Sequence, residues 1–384
     1  MTYDVIVVGA GLHGCSAALH LALRGQNVLV IEKNEAGRHA SGVNAGGVRR
    51  LGRHPAEIPL SVESLEIWHR IEGLVENDCG FHSTGQVKIA ENDRELSELE
   101  QRARMVRSLG FEHEEIIGRA ELRRMCPAAA EHCVGAMVSR RDGFANPYRT
   151  TWSFRQKAAA LGVTFREGVR VIGLDRRAGD LWEVGTTAGS FEAPVVVNAA
   201  GAWGDQLAAM LGDPVPLSPE APMMMVTAPV APFLDPVVGL QGRLLSFKQG
   251  TNGTVVIGGG HRGIADRDAE TTTPDFAGLQ KSARTVAEVF PIMRNVPVVR
   301  CWMGIEAVMP DQIPVIGPSR NAPGAFHSFG FSGHGFQLGP IVGRITSELI
   351  VDGETPLAIE AFRVDRFNAP DYGDGAPAAG FEEG

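Results

Sequence analysis

The stretch that decides the fold is Thr2–Glu32, TYDVIVVGAGLHGCSAALHLALRGQNVLVIE. Its opening run, Thr2 to Val8, is apolar and rich in β-branched residues, the composition of a parallel strand buried on both faces. Gly9, Gly11 and Gly14 follow at once, spaced Gly-x-Gly-x-x-Gly. Cys15 to Arg24 reads as an Ala/Leu helix ending at Gly25, and Asn27 to Ile31 as a second strand closed by Glu32. The first glycine permits a tight turn, the second lets backbone approach a pyrophosphate, and the third lets helix pack on strand. The helix N-terminus aims N–H groups and partial positive charge at the phosphates. Glu32, 18 residues beyond Gly14, stands where a carboxylate accepts hydrogen bonds from a ribose 2′-OH and repels a 2′-phosphate. Glycine fingerprints alone often serve only packing. Strand, fingerprint, helix, strand and acid in this order predict a dinucleotide site.

The bulk properties narrow the field. The 384 residues have room for one large or two medium domains, with a globular composition of 44% hydrophobic and 21% charged residues. A net charge of −9 without any basic run argues against a nucleic-acid partner. No apolar stretch approaches the ~18 residues of a membrane span. The chain enters its first strand by residue 3, which leaves no room for a signal peptide and suggests a cytoplasmic protein. Five scattered cysteines without a CxxC pattern fit a reducing compartment better than a disulfide framework or a metal site.

Beyond Lys33, the segment Gly37 to Arg50 is too glycine-rich and uneven for a helix or strand. It has the composition of backbone lying flat against a ligand; the plainer alternative is a flexible surface loop. Pro59 to Gly73 reads as a helix. His82 to Ala90 and Cys133 to Val138 read as strands around a charged helix, Asp93 to Gly110. A helix from Pro147 to Leu161 follows, then strands at Val163–Phe165 and Val169–Leu174 and a hairpin near 182–192. Pro194 to Trp203 is a buried strand breaking into a second glycine turn. After a proline-dense crossing, Met223–Thr227, Leu244–Lys248, Thr254–Ile257 and Val298–Met303 read as antiparallel strands, with Asn252-Gly253 as a hairpin turn. Phe276 to Phe290 is a helix beside them. A strand at Ala325–Phe329 and a long helix from Pro340 to Val351 close the fold. Nucleotide-type segments (1–78, 139–213, 310–368) thus alternate with a second layer (79–138, 214–309), before an Ala/Pro/Gly/Glu-rich tail over 369–384. The expected fold class is α/β plus antiparallel β: a Rossmann-like domain with an interleaved domain on a mixed or antiparallel sheet.

Five markers in order, VVGAGLHG with Glu32-Lys33, ASGVNAGGVRR, VVVNAAGAW, RCWMG…MPDQIPVIGP and GFSGHGFQLGP, carry a resemblance over nearly the whole chain. It resembles the FAD-dependent amine and amino-acid oxidoreductases of the D-amino-acid oxidase and sarcosine oxidase type. Within that type it is most similar in look to the β-type subunits of bacterial proline, hydroxyproline and opine dehydrogenases and of sarcosine oxidase. The resemblance implies FAD as cofactor, with the flavin ring between the two domains. Gly9, Gly11, Leu12, His13 and Gly14 would hold the pyrophosphate, and Glu32 with Lys33 the adenosine ribose. Ser41, Gly42, Asn44, Ala45, Gly46 and Gly47 would run along pyrophosphate and flavin. Val171 would meet the adenine, while Ala200, Gly201 and Trp203 would close the cleft. Gly304, Gly330 and the helix start at Gly333, His334, Gly335, Phe336 and Gln337 would face the flavin, where a helix N-terminus steadies the negative charge of the reduced ring.

Departures from the family mark the substrate side. Ile305-Glu306 stands where amino-acid oxidases often have a carboxylate-binding arginine, and Gln337 where monomeric sarcosine oxidases have a lysine. Val255-Val256-Ile257 replaces an oxygen-activating lysine strand, which leans slightly towards a dehydrogenase. Cys301 lies near a covalent FAD attachment point of some relatives, but a buried strand cysteine is the commoner explanation. Arg49 and Arg50 are candidates for a substrate carboxylate, because an arginine fork binds both oxygens. Arg243, Lys248, His261 and Arg300 are alternatives. Glu306 could hold a substrate amine, or else form a sheet-edge salt bridge. His334 is a base or a loop hydrogen-bonding residue.

The activity implied is oxidation of an amino- or imino-acid C–N bond by hydride transfer to flavin N5. Secondary amines are the preferred class, and a partner subunit or respiratory acceptor is implied for the electrons, with peripheral membrane association left open. A hydroxy-acid or glycerol 3-phosphate dehydrogenase, or a flavin-holding subunit of a complex, are the rival readings.

Overall fold

The computed structural model describes residues 3–368; Thr2 and the tail expected over 369–384 lie outside the described residues. Strand Val5–Val8 is wholly buried and pairs in parallel with Val28–Ile31 on one side and Val195–Asn198 on the other. Val5 and Val7 pack against helices while Ile6 and Val8 pack against a small three-stranded sheet over 171–193 and the helix Gly204–Met210, so both faces are covered and the run is continuous rather than alternating. The six-stranded sheet runs Val315–Pro318, Ala325–Phe329, Val195–Asn198, Val5–Val8, Val28–Ile31, Thr164–Arg166. All its pairings are parallel except the first.

A second, eleven-stranded mixed sheet draws its strands from Gln86–Ala90 through Gly135–Ser139 and from Ser218–Thr227 through Glu306–Val308. Strand Ser218–Thr227 is its hub and pairs with Val255–Gly258, Arg262–Asp266, Val298–Met303 and Glu306–Val308. The Asn252-Gly253 turn joins Ser246–Gln249 to Val255–Gly258, with Gly253 at φ +81°. The helix Phe276–Val289, capped by Asp275 through the N–H groups of Ala277 and Gly278, packs Val286 and Val289 into this sheet's core.

Several elements differ from expectation. The first helix, Leu12–Leu23, starts three residues early because Gly11 is extended (φ −70°, ψ 178°) and serves as its N-cap inside the fingerprint. The glycine-rich segment is not wholly irregular: it holds a helical turn, Ala40–Val43, and a two-residue strand, Gly47–Val48. Asn44 creates both by donating to the Ala40 carbonyl (2.9 Å) and accepting from the Gly46 N–H (2.8 Å). The helix expected over 59–73 breaks at Arg70 into Ile58–Trp68 and Ile71–Val75. Strand Glu115–Gly118 and helix Arg119–Met125 escape the sequence reading because only Ile117 and Leu122 are buried in them.

The last helix spans Gly335–Val351, so Pro340 lies inside it instead of opening it. Gly335, Gly339 and Gly343 form a stripe spaced by four along one face. A Cβ at Gly339 would stand 2.5 Å from Leu12 Cδ2, and one at Gly343 only 2.5 Å from the Ser16 backbone carbon. The bare stripe lets the first and last helices lie backbone to backbone. Both N-termini thereby open on the same space.

Candidate functional site

That space is a long cavity between the two sheets. At its first wall, Gly9 takes φ +106°, and a Cβ there would lie 2.8 Å from the Ala199 carbonyl carbon. Gly9, Gly11, Leu12 and His13 line the cavity. Gly14 does not; it lets helix pack on strand, its would-be Cβ falling on the Gly9 carbonyl. Ser41 Oγ accepts the Leu12 N–H at 2.9 Å and ties the glycine-rich loop to the helix start. Glu32 accepts the N–H groups of Ala10 (2.8 Å) and Asn34 (2.9 Å). Burial still pushes its carboxyl above the usual range. Lys33 lies 2.9 Å from the centre of the Trp203 ring, a cation–π pair.

Ser41, Asn44, Ala45, Gly46 and Gly47 line the cavity, as do Val171, Ala200, Gly201 and Trp203. Gly42 faces inward against Gly37. Gly47 and Gly201 border the cavity with nothing within 4 Å of a would-be Cβ. Glycine there leaves the space to a ligand.

The second wall is the entry to the last helix. Gly304, Gly330, Gly333, Gly335 and Phe336 line it. Ser332, a non-glycine at φ +49°, is held there by its N–H bond to Ala307 O (3.0 Å) and by accepting the Met309 N–H at 2.9 Å. Such a strained residue persists only where its surroundings impose it. Glu306 lines the cavity and accepts the Gly333 N–H at 2.9 Å, so it braces this wall.

His334 and Gln337 stand behind the wall, not on it. His334 Nδ1 lies 3.0 Å from Glu57 Oε2. Gln337 is buried, donating to Ser61 O (2.8 Å) and accepting from Arg53 Nη2 (3.2 Å), while Ser64 and Trp68 donate to its carbonyl. Glu57 is fully buried; burial would raise its carboxyl, but His334 and Arg53 hold it below the usual range. The sequence reading missed Arg53 and Glu57. Arg53 is anchored on the His334 carbonyl (2.9 Å) and Gln337 Oε1 (3.2 Å), far along the chain, so no local pattern marked it.

On the remaining wall, Arg49 reaches the cavity with Nη1 3.0 Å from Leu51 O. Arg50 does not line it: it is buried on Asp142 at 3.2 Å. Arg243 is spent on Glu91 (2.6 Å) and Glu288 (2.5 Å). Lys248 lies behind Gly46, its amine 4.5 Å from the Phe144 ring centre and pushed down to about 8 by burial. His261 does not line the cavity, and Arg300 lies on the exposed part of Val298–Met303. Cys301 is exposed on the same strand, which corrects the buried-cysteine expectation; it does not line the cavity. Among the described strands, Val298–Met303 pairs only through its Ser218–Thr227 side; Val298 to Cys301 are exposed, whereas Trp302 donates to Val43 O (2.8 Å). Arg262 and Glu220, unremarked in the sequence, line the cavity as an ion pair at 2.6 Å.

The residues present fit FAD: a glycine turn at a helix start, an acid closing the second strand, and bare glycines facing open space. The model of the DAO family, FAD dependent oxidoreductase, matches residues 4–349. Sarcosine oxidase subunit beta of Rhizobium meliloti (strain 1021) is 28% identical over 381 residues, covering 95% of this chain and 88% of that protein. Glycine oxidase of Geobacillus kaustophilus (strain HTA426) is 27% identical, over 95% of this chain and 97% of its own. The structure of L-proline dehydrogenase from P. horikoshii superposes with a TM-score of 0.88 at 26% identity, covering 96% of this chain and 98% of its own.

Proposed function

The chain belongs to the DAO family of FAD-dependent oxidoreductases, and from that premise we propose that it oxidises the C–N bond of an amino or imino acid, with a secondary amine as the preferred substrate. The observation that carries the reading is the convergence of two helix N-termini, Leu12–Leu23 and Gly335–Val351, and two glycine turns on one cavity that Arg49, Arg262, Glu220 and Glu306 also line. FAD, when bound, supplies the hydride acceptor.

The chain's own residues do the rest. Gly9 and Gly11 would let backbone come close to the pyrophosphate beside the helix start at Leu12, and Glu32 would take the ribose hydroxyls. The Gly335 helix start would lend partial positive charge to a reduced flavin bound in the cavity. Arg49 receives the substrate carboxylate, which aligns the α-carbon. Glu306, near the Gly333 bend, favours an amine at that end of the cavity. Hydride leaves the α-carbon only when the substrate nitrogen is neutral, since its lone pair forms the new C=N bond. The residues act by orientation and by excluding water, with no obligatory acid or base among them. The relatives named as a subunit and as a dehydrogenase support electron transfer to a partner or acceptor other than oxygen.

Anaerobic mixing with a panel of amino acids tests this. Bleaching of the flavin band near roughly 450 nm by proline, sarcosine or an opine is the expected result. Bleaching by a hydroxy acid or glycerol 3-phosphate, with none by any amine, overturns it.

A further inference from the structure

The hairpin Arg262–Asp266/Thr271–Thr273 forms the edge of the eleven-stranded sheet, yet its tip, residues 267–270, crosses to the other sheet. Glu270 sits at φ +55°, which non-glycine residues rarely adopt. Its carboxylate takes Asn34 Nδ2 and Arg170 Nη2, each at 2.6 Å, Lys33 Nζ at 3.0 Å and His39 Nε2 at 3.5 Å. Arg267 donates from Nη1 to Ala202 O (2.9 Å) and Asp205 Oδ1 (2.6 Å). One tip therefore grips three separate parts of the nucleotide-type fold: the exit of strand Val28–Ile31, the approach to strand Val171–Arg176, and the turn before helix Gly204–Met210. Lys33, His39, Arg170, Ala202 and Trp203 line the cavity at its Glu32 end, whereas Glu270 and Arg267 stand outside it. Burial would raise the Glu270 carboxyl, but Asn34, Lys33 and Arg170 hold it at about 2, so it is ionised at any working pH.

We propose that this hairpin tip is a latch over the adenosine end of the cavity: Glu270 and Arg267 are positioning residues that hold Lys33, Arg170 and the Ala202–Trp203 turn against bound FAD and set how fast it leaves. The latch rests on the reading that the adenosine lies at Glu32. Lys33 and Arg170 need a strong partner to stay in place, and Glu270 supplies one from a different sheet. The hairpin must lift as a unit, with both feet released, before the adenosine end opens. The Lys33 and Glu270 side chains keep 14% and 18% of their exposure, so salt weakens the latch without abolishing it.

The test uses the holoenzyme, Glu270→Gln and Arg267→Gln. FAD release after dilution is followed by flavin fluorescence at low and high salt, and ADP affinity of the apoprotein by calorimetry. Each variant is expected to release FAD about tenfold faster and to bind ADP more weakly by a similar factor, with release less sensitive to salt than in the wild type. Apoprotein melting curves accompany both; if Glu270→Gln does not fold, Arg267→Gln carries the same measurement. Unchanged FAD release in a folded variant overturns the latch. So does faster release with unchanged ADP affinity, which would place the effect away from the adenosine. A wild-type protein that takes up neither FAD nor ADP overturns the latch together with the reading of the cavity beneath it.

Discussion

Arg49 keeps its guanidinium at the cavity wall against a backbone carbonyl, whereas its neighbour Arg50 is committed to Asp142. The two arginines were equivalent in sequence; only the fold separates them, because Asp142 also accepts the Arg50 and Leu51 N–H groups (2.7 and 2.9 Å) and so fixes which side chain turns inward. Arg49→Lys keeps the charge and loses the planar fork. We expect it to raise KM about tenfold with kcat little changed, measured by steady-state kinetics on whichever amine bleaches the flavin. An equal fall in kcat would show that Arg49 acts in the hydride step itself and not in substrate binding. The glycine and acid residues of the first wall were legible because their chemistry is local to one strand–turn–helix unit. Arg53, Arg262 and Glu220 were not, since Arg53 is anchored on His334 and Gln337, far away in sequence, and Arg262 and Glu220 meet across neighbouring strands.

Among the elements, the pairing of the first and last helices decides the cavity's shape. A methyl group at Gly343 must displace the Ser16 backbone, which a flexible side chain cannot absorb. Gly343→Ala is expected to destabilise the fold by about 1–3 kcal/mol, read as a lowered Tm together with weaker FAD binding. Gly25→Ala is the contrast: its Cβ would meet nothing within 4 Å, so any cost comes from its φ of +79° alone. An unchanged Tm for Gly343→Ala would show that the helices can part without cost. The stripe of Gly335, Gly339 and Gly343 was present in the sequence, but Pro340 drew the helix start to itself. Pro340 is the sixth residue of that helix, so it forgoes the bond an N–H there would make to the Phe336 carbonyl.

For the whole molecule, acid is the expected weakness. Burial holds His13 neutral down to about 3, and His20 and His39 down to about 4. Unfolded, they protonate near about 6.5, so between that value and their folded ones the unfolded chain binds more protons. Their contribution is complete above about 6.5 and is lost as pH falls towards 4 and 3. Glu270, depressed to about 2, adds a loss that begins as pH falls through the ordinary carboxylate range. Melting curves should show Tm highest near or above neutrality and falling steadily from pH 6.5 to 4; a flat Tm across that span would contradict the burial of these rings. The two-sheet architecture was readable from the alternation of buried β-branched runs with hairpin signals. The bridge between the sheets through Glu270 was not, because a lone glutamate at a hairpin tip has no local pattern. The glycine stripe also bears on the order in which the protein can come into being. The segment that seats the pyrophosphate emerges from the ribosome early, but the surface that backs it is made by residues beyond 334. A nascent chain therefore holds half a cradle until the glycine stripe at 335–343 has been made, and the coenzyme is not captured before then.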